Sequence, residues 1–255
     1  MKIILFLSIL FLCDKGVNAQ RNPNNPFDRV GEMHNYLLDA FFTEQTRESV
    51  SGIWTMQTLG NFICKKFPDM DCKSVHQIIN DKLYMEVRDK TLMECESILL
   101  GRGLVHARHG YYIDQINDII ENHFDEDYNV SYKAFLTIED KLINDPDLSP
   151  SEVINLLCSC AVGRYSIKFW KDIGAGLGRY PSISSDITNL TCCAWLRNLG
   201  NHDTRGAVAG AIIGASSGSG GGATGLAGAG VGALVGGGAA SISSGVSSIW
   251  QAIFN

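Results

Sequence analysis

Apolar residues recur at three- and four-residue spacings along most of the chain after residue 26. The first such stretch puts five of them on one helical face: Val30, Met33, Leu37, Leu38 and Phe41. The same spacing predicts helices over 47–67, 73–87, 91–100, 111–124 and 131–143. No segment alternates with a two-residue period over more than four or five positions. The pattern therefore predicts an all-α fold, a multi-helix bundle.

The clearest helix start in the sequence lies at Ser149. Its hydroxyl can cap free backbone amides, Pro150 suits the first turn, and Glu152 can reach back to the cap amide. This helix is expected to run from Pro150 to about residue 171, before a glycine-rich stretch. A short helix is then predicted from residue 185 or 186 to about residue 199.

The composition changes sharply after Arg205. Residues 206–255 contain no Asp, Glu, Lys, Arg or His. Glycines recur there every four residues in two successive runs, which we together call the glycine zipper: Gly206, Gly210, Gly214, Gly218 and Gly222, then Gly228, Gly232 and Gly236. Four-residue spacing lines one helical face, so a partner backbone can approach closely. The zipper predicts helix packing through these positions.

A turn near residues 216–222 would fold this segment into a helical hairpin, with arms over 204–217 and 223–239. Each glycine inside a helix costs about 1 kcal/mol relative to alanine, so lipid or a packed partner helix must offset the loss. A third helical segment is expected over 241–254, where Trp250 and Phe254 would suit a membrane interface. A flexible glycine-rich linker is the alternative.

The first nineteen residues have the layout of a secretory signal peptide. Lys2 precedes an apolar run that is about half the length of a spanning helix, and a small residue, Ala19, ends the segment. A lipoprotein signal at Cys13 is the weaker alternative. The expected organisation is a signal peptide over 1–19, a helical domain over 20–203 and the uncharged segment over 204–255. The protein is expected to be periplasmic, on the cell surface or extracellular, with or without membrane association.

Seven cysteines remain after the leader, and disulfides are the usual state of cysteines in exported proteins. Cys64 and Cys72 flank a turn-like stretch and are the best candidates for a bridge. A zinc site at Cys158, Cys160 and the pair at 192–193 has unusual spacing. We therefore predict neither a metal site nor a cofactor.

No catalytic signature is present, and the chain is not expected to be an enzyme. Glu32 and His34 are two residues apart and do not share a helical face. His106 and His109 are three apart, but neighbouring glycines make a helix there doubtful, so surface histidines are the simpler interpretation. Net charge is −6, and no basic patch occurs, which argues against nucleic-acid binding.

Two groups of motifs carry a resemblance. The first is Asn-Pro-Phe-Asp at 25–28 followed by Gly-Glu-Met-His-Asn at 31–35, and the second is Ala-Val-Gly-Arg-Tyr-Ser at 161–166 ahead of Phe169-Trp170. Together they resemble uncharacterised exported helical proteins of Bacteroidetes-type bacteria, whose chains often end in a glycine-rich segment. The resemblance implies no activity. Separately, the uncharged tail resembles the membrane-active part of unmodified bacteriocins, although a double-glycine leader is missing.

These patterns favour an exported, non-enzymatic protein whose tail associates with or inserts into a membrane. The expected partner is a membrane or another helical chain, and the zipper also allows a homo-oligomer. The alternative is a soluble binding or structural protein whose hairpin packs on its own helical domain. In both cases the prediction rests on the uncharged, glycine-rich segment.

Overall fold

The computed structural model describes residues 21–45, 55–175, 193–217 and 223–254, with side chains described only for 196–215 and 228–243 in the last two ranges. This part of the chain contains ten helices and no strand, which confirms the all-α prediction. The helices are α1 (Asp28–Gln45), α2 (Met56–Lys66), α3 (Cys72–Ile79), α4 (Lys82–Val87), α5 (Leu92–Gly101), α6 (Ala107–His123), α7 (Tyr128–Ile143), α8 (Pro150–Gly174), α9 (Cys193–Ser217) and α10 (Ala223–Phe254).

The predicted start of α8 is confirmed in detail. The Ser149 hydroxyl accepts from the Glu152 amide at 3.3 Å, and the Glu152 carboxylate accepts from the Ser149 amide at 2.9 Å. This reciprocal pair satisfies two amides that the helix itself cannot bond. The helix then runs to Gly174, three residues beyond the predicted end.

Residues 73–87 form two helices, so the prediction of one helix there is wrong. The chain turns at Asn80, and the Asp81 carboxylate accepts from the Leu83 amide at 2.7 Å to cap α4. Asp81 favours a cap over a helix interior because its side chain competes for backbone amides. The helix predicted over 47–67 begins at Met56 in the described part, where Thr55 caps it; residues 46–54 lie outside that part.

The uncharged segment continues from the helical domain without a break. The start of the helix predicted from residue 185 or 186 lies outside the described residues, but its end near 199 and the predicted arm starting at 204 are both parts of α9. The expected boundary between 203 and 204 therefore falls inside one helix. Similarly, α10 passes through residue 240, where two segments were predicted. Ser241 lies in the middle of α10, and its Oγ is 3.1 Å from the Gly237 carbonyl oxygen one turn earlier.

The long helices α8, α9 and α10 form the centre of the fold. α9 packs along α10 and against α8, while α1 packs on both α8 and α10. Shorter helices surround them: α3 and α4 lie against α9, α7 lies against α8, and α6 packs on α7. We call residues 206–217 of α9 and 223–242 of α10 the glycine hairpin.

The predicted disulfide is confirmed. Cys64 in the last turn of α2 is bonded to Cys72 at the start of α3, with their Cα atoms 5.5 Å apart. Cys95, Cys158 and Cys160 are buried thiols. A zinc site made from the latter two with residues 192–193 falls partly outside the described side chains.

Among the described residues, no helix combines the length and the apolar character needed to cross a membrane.

Candidate functional site

The two helices of the glycine hairpin touch through their backbones. They run antiparallel, and three pairs of glycines face each other across the contact: Gly206 with Gly236, Gly210 with Gly232, and Gly214 with Gly228. At each of these six positions a methyl group would lie under 3.0 Å from the carbonyl oxygen of the facing glycine. Only glycine fits this contact, since no side-chain movement can relieve a clash with backbone.

The structure thus brings together six of the eight residues of the predicted zipper. The other two, Gly218 and Gly222, lie outside the described residues. Trp250 and Phe254, the predicted interface residues, lie in α10, but their side chains are likewise outside the described part.

Described hairpin residues outside this glycine contact pack against the helical domain. Small hairpin residues form one apolar cluster with α1 and α8: Ala207, Ala211, Ala229, Ala233 and Leu234 with Val30, Ile154, Cys158 and Val162. A methyl at Gly238 would lie under 3.0 Å from the Leu37 side chain, so α1 also follows a glycine surface closely. Residues 204–214 and 232–242 are buried throughout. Hairpin residues 206–214 and 232–242 are therefore interior to the described structure.

A buried polar cluster joins the hairpin to α1 and α8. Its centre is Asp203, whose carboxylate accepts from the Ser166 hydroxyl, from the Ser241 hydroxyl and, at 2.8 Å, from the Trp170 indole N–H. His34 Nε2 lies 3.1 Å from the Ser241 Oγ and 3.7 Å from the Asp203 carboxylate. All five side chains are fully buried. We call this set, with Asn35, the Asp203 cluster.

The hydrogen bonds of His34 restrict where its protons lie. The Asn35 side chain donates to the Tyr165 carbonyl at 2.8 Å, so its oxygen must accept from His34 Nδ1 at 3.1 Å. His34 Nε2 then either donates to Ser241, which donates to Asp203, or accepts from Ser241 while Asp203 is protonated. Both arrangements leave the cluster with no net charge, which lowers the cost of burying it.

Burial raises the pKa of Asp203, and the nearby His34 and the three donated hydrogen bonds act in the opposite direction. His34, Ser241 and Asp203 are the residue types of a nucleophilic triad. Here Ser241 lies between the other two and has no exposed surface. The arrangement suits a structural connection between helices, because a substrate has no surface to approach.

Arg205 and Tyr84 connect α9 and α10 to the region of α4. The Arg205 guanidinium is buried and donates to the carbonyls of Lys90 and Arg88, in the segment between α4 and α5. Burial lowers the pKa of Arg205. The Tyr84 hydroxyl donates to the Gly236 carbonyl at 3.1 Å. Polar bonds from the Asp203 cluster and from the region of α4 thus hold the hairpin near Asp203 and Arg205, the charged residues that precede it.

A second buried cluster fastens the N-terminal segment to α7 and α8. The Arg164 guanidinium, fully buried, binds the carboxylates of Asp28 and, at 3.2 Å, Glu139. Asn22 and Asn25 donate to the same Glu139 carboxylate at 2.6 and 2.8 Å. Burial raises the pKa of Glu139. For Arg164, burial opposes the charge, but the two carboxylates outweigh it and raise the pKa.

The histidines considered from sequence occupy different environments. His34 belongs to the Asp203 cluster, while Glu32 pairs with Arg21 at 2.7 Å. His106 is exposed, so it is a surface histidine, and its ring lies 3.0 Å from the Glu152 carboxylate at the α8 cap. His109 is fully buried in α6, so the surface interpretation is wrong for it. Burial lowers its pKa to about 4.

The Asp203 cluster was not predicted from the sequence, although one signal pointed to it. The motifs that carry the bacterial resemblance contain His34, Asn35, Ser166 and Trp170, and their partner Asp203 is the last acidic residue before the uncharged tail. No protein-family model matches the chain, and comparisons with curated proteins and with solved structures also found no match. The glycine hairpin and its polar attachments are therefore the features that bear on function.

Proposed function

We propose that this chain is an exported, non-enzymatic protein that stores the glycine hairpin inside its helical domain and delivers it to a membrane. In water, the domain covers the hairpin. At a membrane surface, the hydrogen bonds that hold the hairpin to the domain, those of the Asp203 cluster, Arg205 and Tyr84, break. The uncharged segment then associates with or enters the lipid. The observation that carries the proposal is the backbone contact between α9 and α10, which lies wholly within the hairpin.

That contact makes the hairpin a transferable unit. Each arm is helical, so its backbone hydrogen bonds are internal, which is the condition for entering hydrocarbon. Helix association in lipid depends on close packing of small residues, and this hairpin already packs glycine against glycine. The glycine contact between α9 and α10 can therefore stay intact when the hairpin moves from the protein interior into lipid.

The distribution of charge supports the same direction. The described hairpin positions that are only partly buried, at Ala215, Gly228 and Val231, carry no charge, although water-facing positions usually tolerate it. The connection over 218–222 is also uncharged in sequence. A hairpin entering connection-first would bring no ionisable group into hydrocarbon, where each costs several kcal/mol. Asp203 and Arg205 would remain near the surface.

The length of the first arm sets the depth of entry. Residues 206–217 span about 18 Å as a helix, against a hydrocarbon thickness of about 30 Å. The hairpin would therefore reach past one leaflet without crossing both. Association or partial insertion is the form of the proposal that fits this geometry.

Export and the absence of catalysis are supported by separate observations. The signal-like leader and the Cys64–Cys72 disulfide are typical of proteins in oxidising compartments. The buried position of the Asp203 cluster supports a structural use for its histidine and serine.

Flotation of the mature chain with lipid vesicles tests the proposal. Ser241→Ala removes the hydroxyl between His34 and Asp203 and weakens the attachment without touching the zipper glycines. We expect this variant to float with vesicles in a larger fraction than the native chain. Ser243→Ala, on a partly exposed side chain outside the cluster, is the matched control and should float like the native chain.

The second candidate is a soluble binding or structural protein whose hairpin never leaves the domain. The burial of residues 232–242 favours it. If neither the native chain nor Ser241→Ala floats with vesicles, and both are folded, the result would favour this alternative and contradict the membrane proposal. A homo-oligomer through the zipper would require α10 to be exchanged between two chains, since the described glycine faces are paired within one chain.

A further inference from the structure

Three potential metal ligands lie together where α2 meets α3. The ligand atoms of Cys64, Cys72 and His76 all lie within 4.8 Å of one another. Cys64 is in the last turn of α2, Cys72 is the first residue of α3, and His76 follows one turn later. The four-residue spacing places Cys72 and His76 on the same helical face. Cys64 and Cys72 form a disulfide in the structure.

The protons of His76 are arranged as in a metal-binding histidine. Its Nε2 lies 3.1 Å from the Asn61 side-chain oxygen, which can only accept, so Nε2 carries the hydrogen. The Nδ1 atom then has a free lone pair, and it is buried without a hydrogen-bond partner. Metal-ligating histidines commonly bind the metal through one nitrogen while a neighbouring acceptor fixes the other.

Gly60 makes room for this ring. A methyl group at Gly60 would lie under 3.0 Å from both Nδ1 and Cε1 of His76. The glycine therefore lets the imidazole lie directly on α2, one helical turn before Cys64. The unpartnered nitrogen, the two sulfurs and the glycine thus form one local arrangement, and the disulfide accounts for only part of it.

We propose that reduction of the disulfide converts Cys64, Cys72 and His76 into a site for one zinc ion. A dithiol supplies two electrons and two protons, so the protein gains two thiols while the reductant closes its own disulfide. Zinc binding then releases the two thiol protons and forms two Zn–S bonds and one Zn–N bond. A water completes the four-coordinate set, as in zinc sites with three protein ligands.

The dimensions and the ligand types both suit zinc. Zn–S bonds of about 2.3 Å in a tetrahedral set place the two sulfurs about 3.8 Å apart. Rotation of the cysteine side chains supplies this separation from Cα atoms 5.5 Å apart. Thiolate and imidazole favour zinc over magnesium or calcium, which prefer oxygen ligands. Because the same sulfurs make the disulfide, oxidation and zinc binding exclude each other.

The test uses the full mature chain with Cys192→Ser and Cys193→Ser, which removes thiols outside the site. The chain is reduced with a phosphine, which becomes its phosphine oxide, and then titrated with Zn²⁺ against a chromophoric chelator. We expect one zinc per reduced chain and none for the disulfide form. Co²⁺ in place of zinc should give the near-ultraviolet band of thiolate-to-cobalt charge transfer.

Substitutions at the ring separate this site from the buried thiols. His76→Gln should weaken zinc binding at least 10-fold, and Asn61→Ala should weaken it about 10-fold through loss of ring orientation. His123→Gln, at a partly exposed histidine paired with Glu126, is the matched control and should bind as the parent does. Zinc affinity that is unchanged in His76→Gln would overturn the proposal. So would equal binding by the disulfide form, or no binding by the reduced chain.

Discussion

Replacing single glycines by alanine in α10 should give effects of opposite sign two residues apart. Gly232 faces Gly210 across the hairpin, and a methyl there would lie under 3.0 Å from the Gly210 carbonyl carbon and oxygen. At Gly230 the nearest heavy atom to such a methyl is a Val30 side-chain carbon at 3.7 Å, an ordinary contact. Both glycines lie in the same helix, so their backbone propensities are matched.

The magnitudes follow from two terms. Alanine in a helix interior is favoured over glycine by about 1 kcal/mol, and this term applies at both positions. At Gly232 the clash is with backbone, so the helices must separate, and overpacking of this kind costs about 1–3 kcal/mol. Separation also loosens the neighbouring glycine pairs. The difference between the two terms is about 0–2 kcal/mol, so we expect Gly232→Ala to lower the free energy of unfolding by up to about 2 kcal/mol.

Gly230→Ala should instead raise the free energy of unfolding by up to about 1 kcal/mol. Urea denaturation followed by far-ultraviolet circular dichroism measures both variants, with the midpoint compared at constant slope. Gly232→Ala that is as stable as Gly230→Ala would refute the backbone contact. The same result would remove the physical reason for the four-residue glycine spacing.

Three further substitutions test other parts of the fold by the same denaturation assay. Burial lowers the pKa of His109 to about 4 from 6.5, so the folded protein keeps this imidazole neutral. The free energy of unfolding should therefore fall by up to about 3 kcal/mol as the pH is lowered from about 6.5 to 4. His109→Leu should make the free energy of unfolding less dependent on pH in this range. Arg164→Met leaves the carboxylates of Asp28 and Glu139 buried without their cation and should cost about 3–5 kcal/mol. Ser149→Ala removes the α8 cap and should cost about 1 kcal/mol. A pH profile for His109→Leu as steep as that of the native chain, or native stability in either other variant, would contradict the corresponding contact.

Local signals in the sequence were sufficient for several features. The cap at Ser149 depends on residues within one helical turn, and the Cys64–Cys72 bridge closes over a short turn, so both could be predicted directly. The four-residue glycine spacing likewise marks one helical face, and six of its members line the contact between α9 and α10.

Features that depend on distant partners could not be predicted in this way. His34 and Ser241 are 207 residues apart, and no periodicity relates them. The change in composition after Arg205 predicted a boundary near residue 203, but α9 is continuous there. Asp203 and Arg205 are buried with polar partners and do not lie in an exposed connection between two segments. The break between α3 and α4 was missed because an apolar stripe continues across Asp81, whose side chain caps the start of a second helix.

The most direct test of storage and delivery is amide hydrogen exchange of the mature protein, in water and with bound vesicles. In water, we predict that the amides of 206–214 and 228–242 exchange among the slowest in the chain, because the hairpin is helical and interior. On vesicles, these amides should stay protected while those of α1 and α8 that face the hairpin exchange faster. Fast exchange of the hairpin in both states, or an unchanged pattern in vesicle-bound protein, would contradict the account.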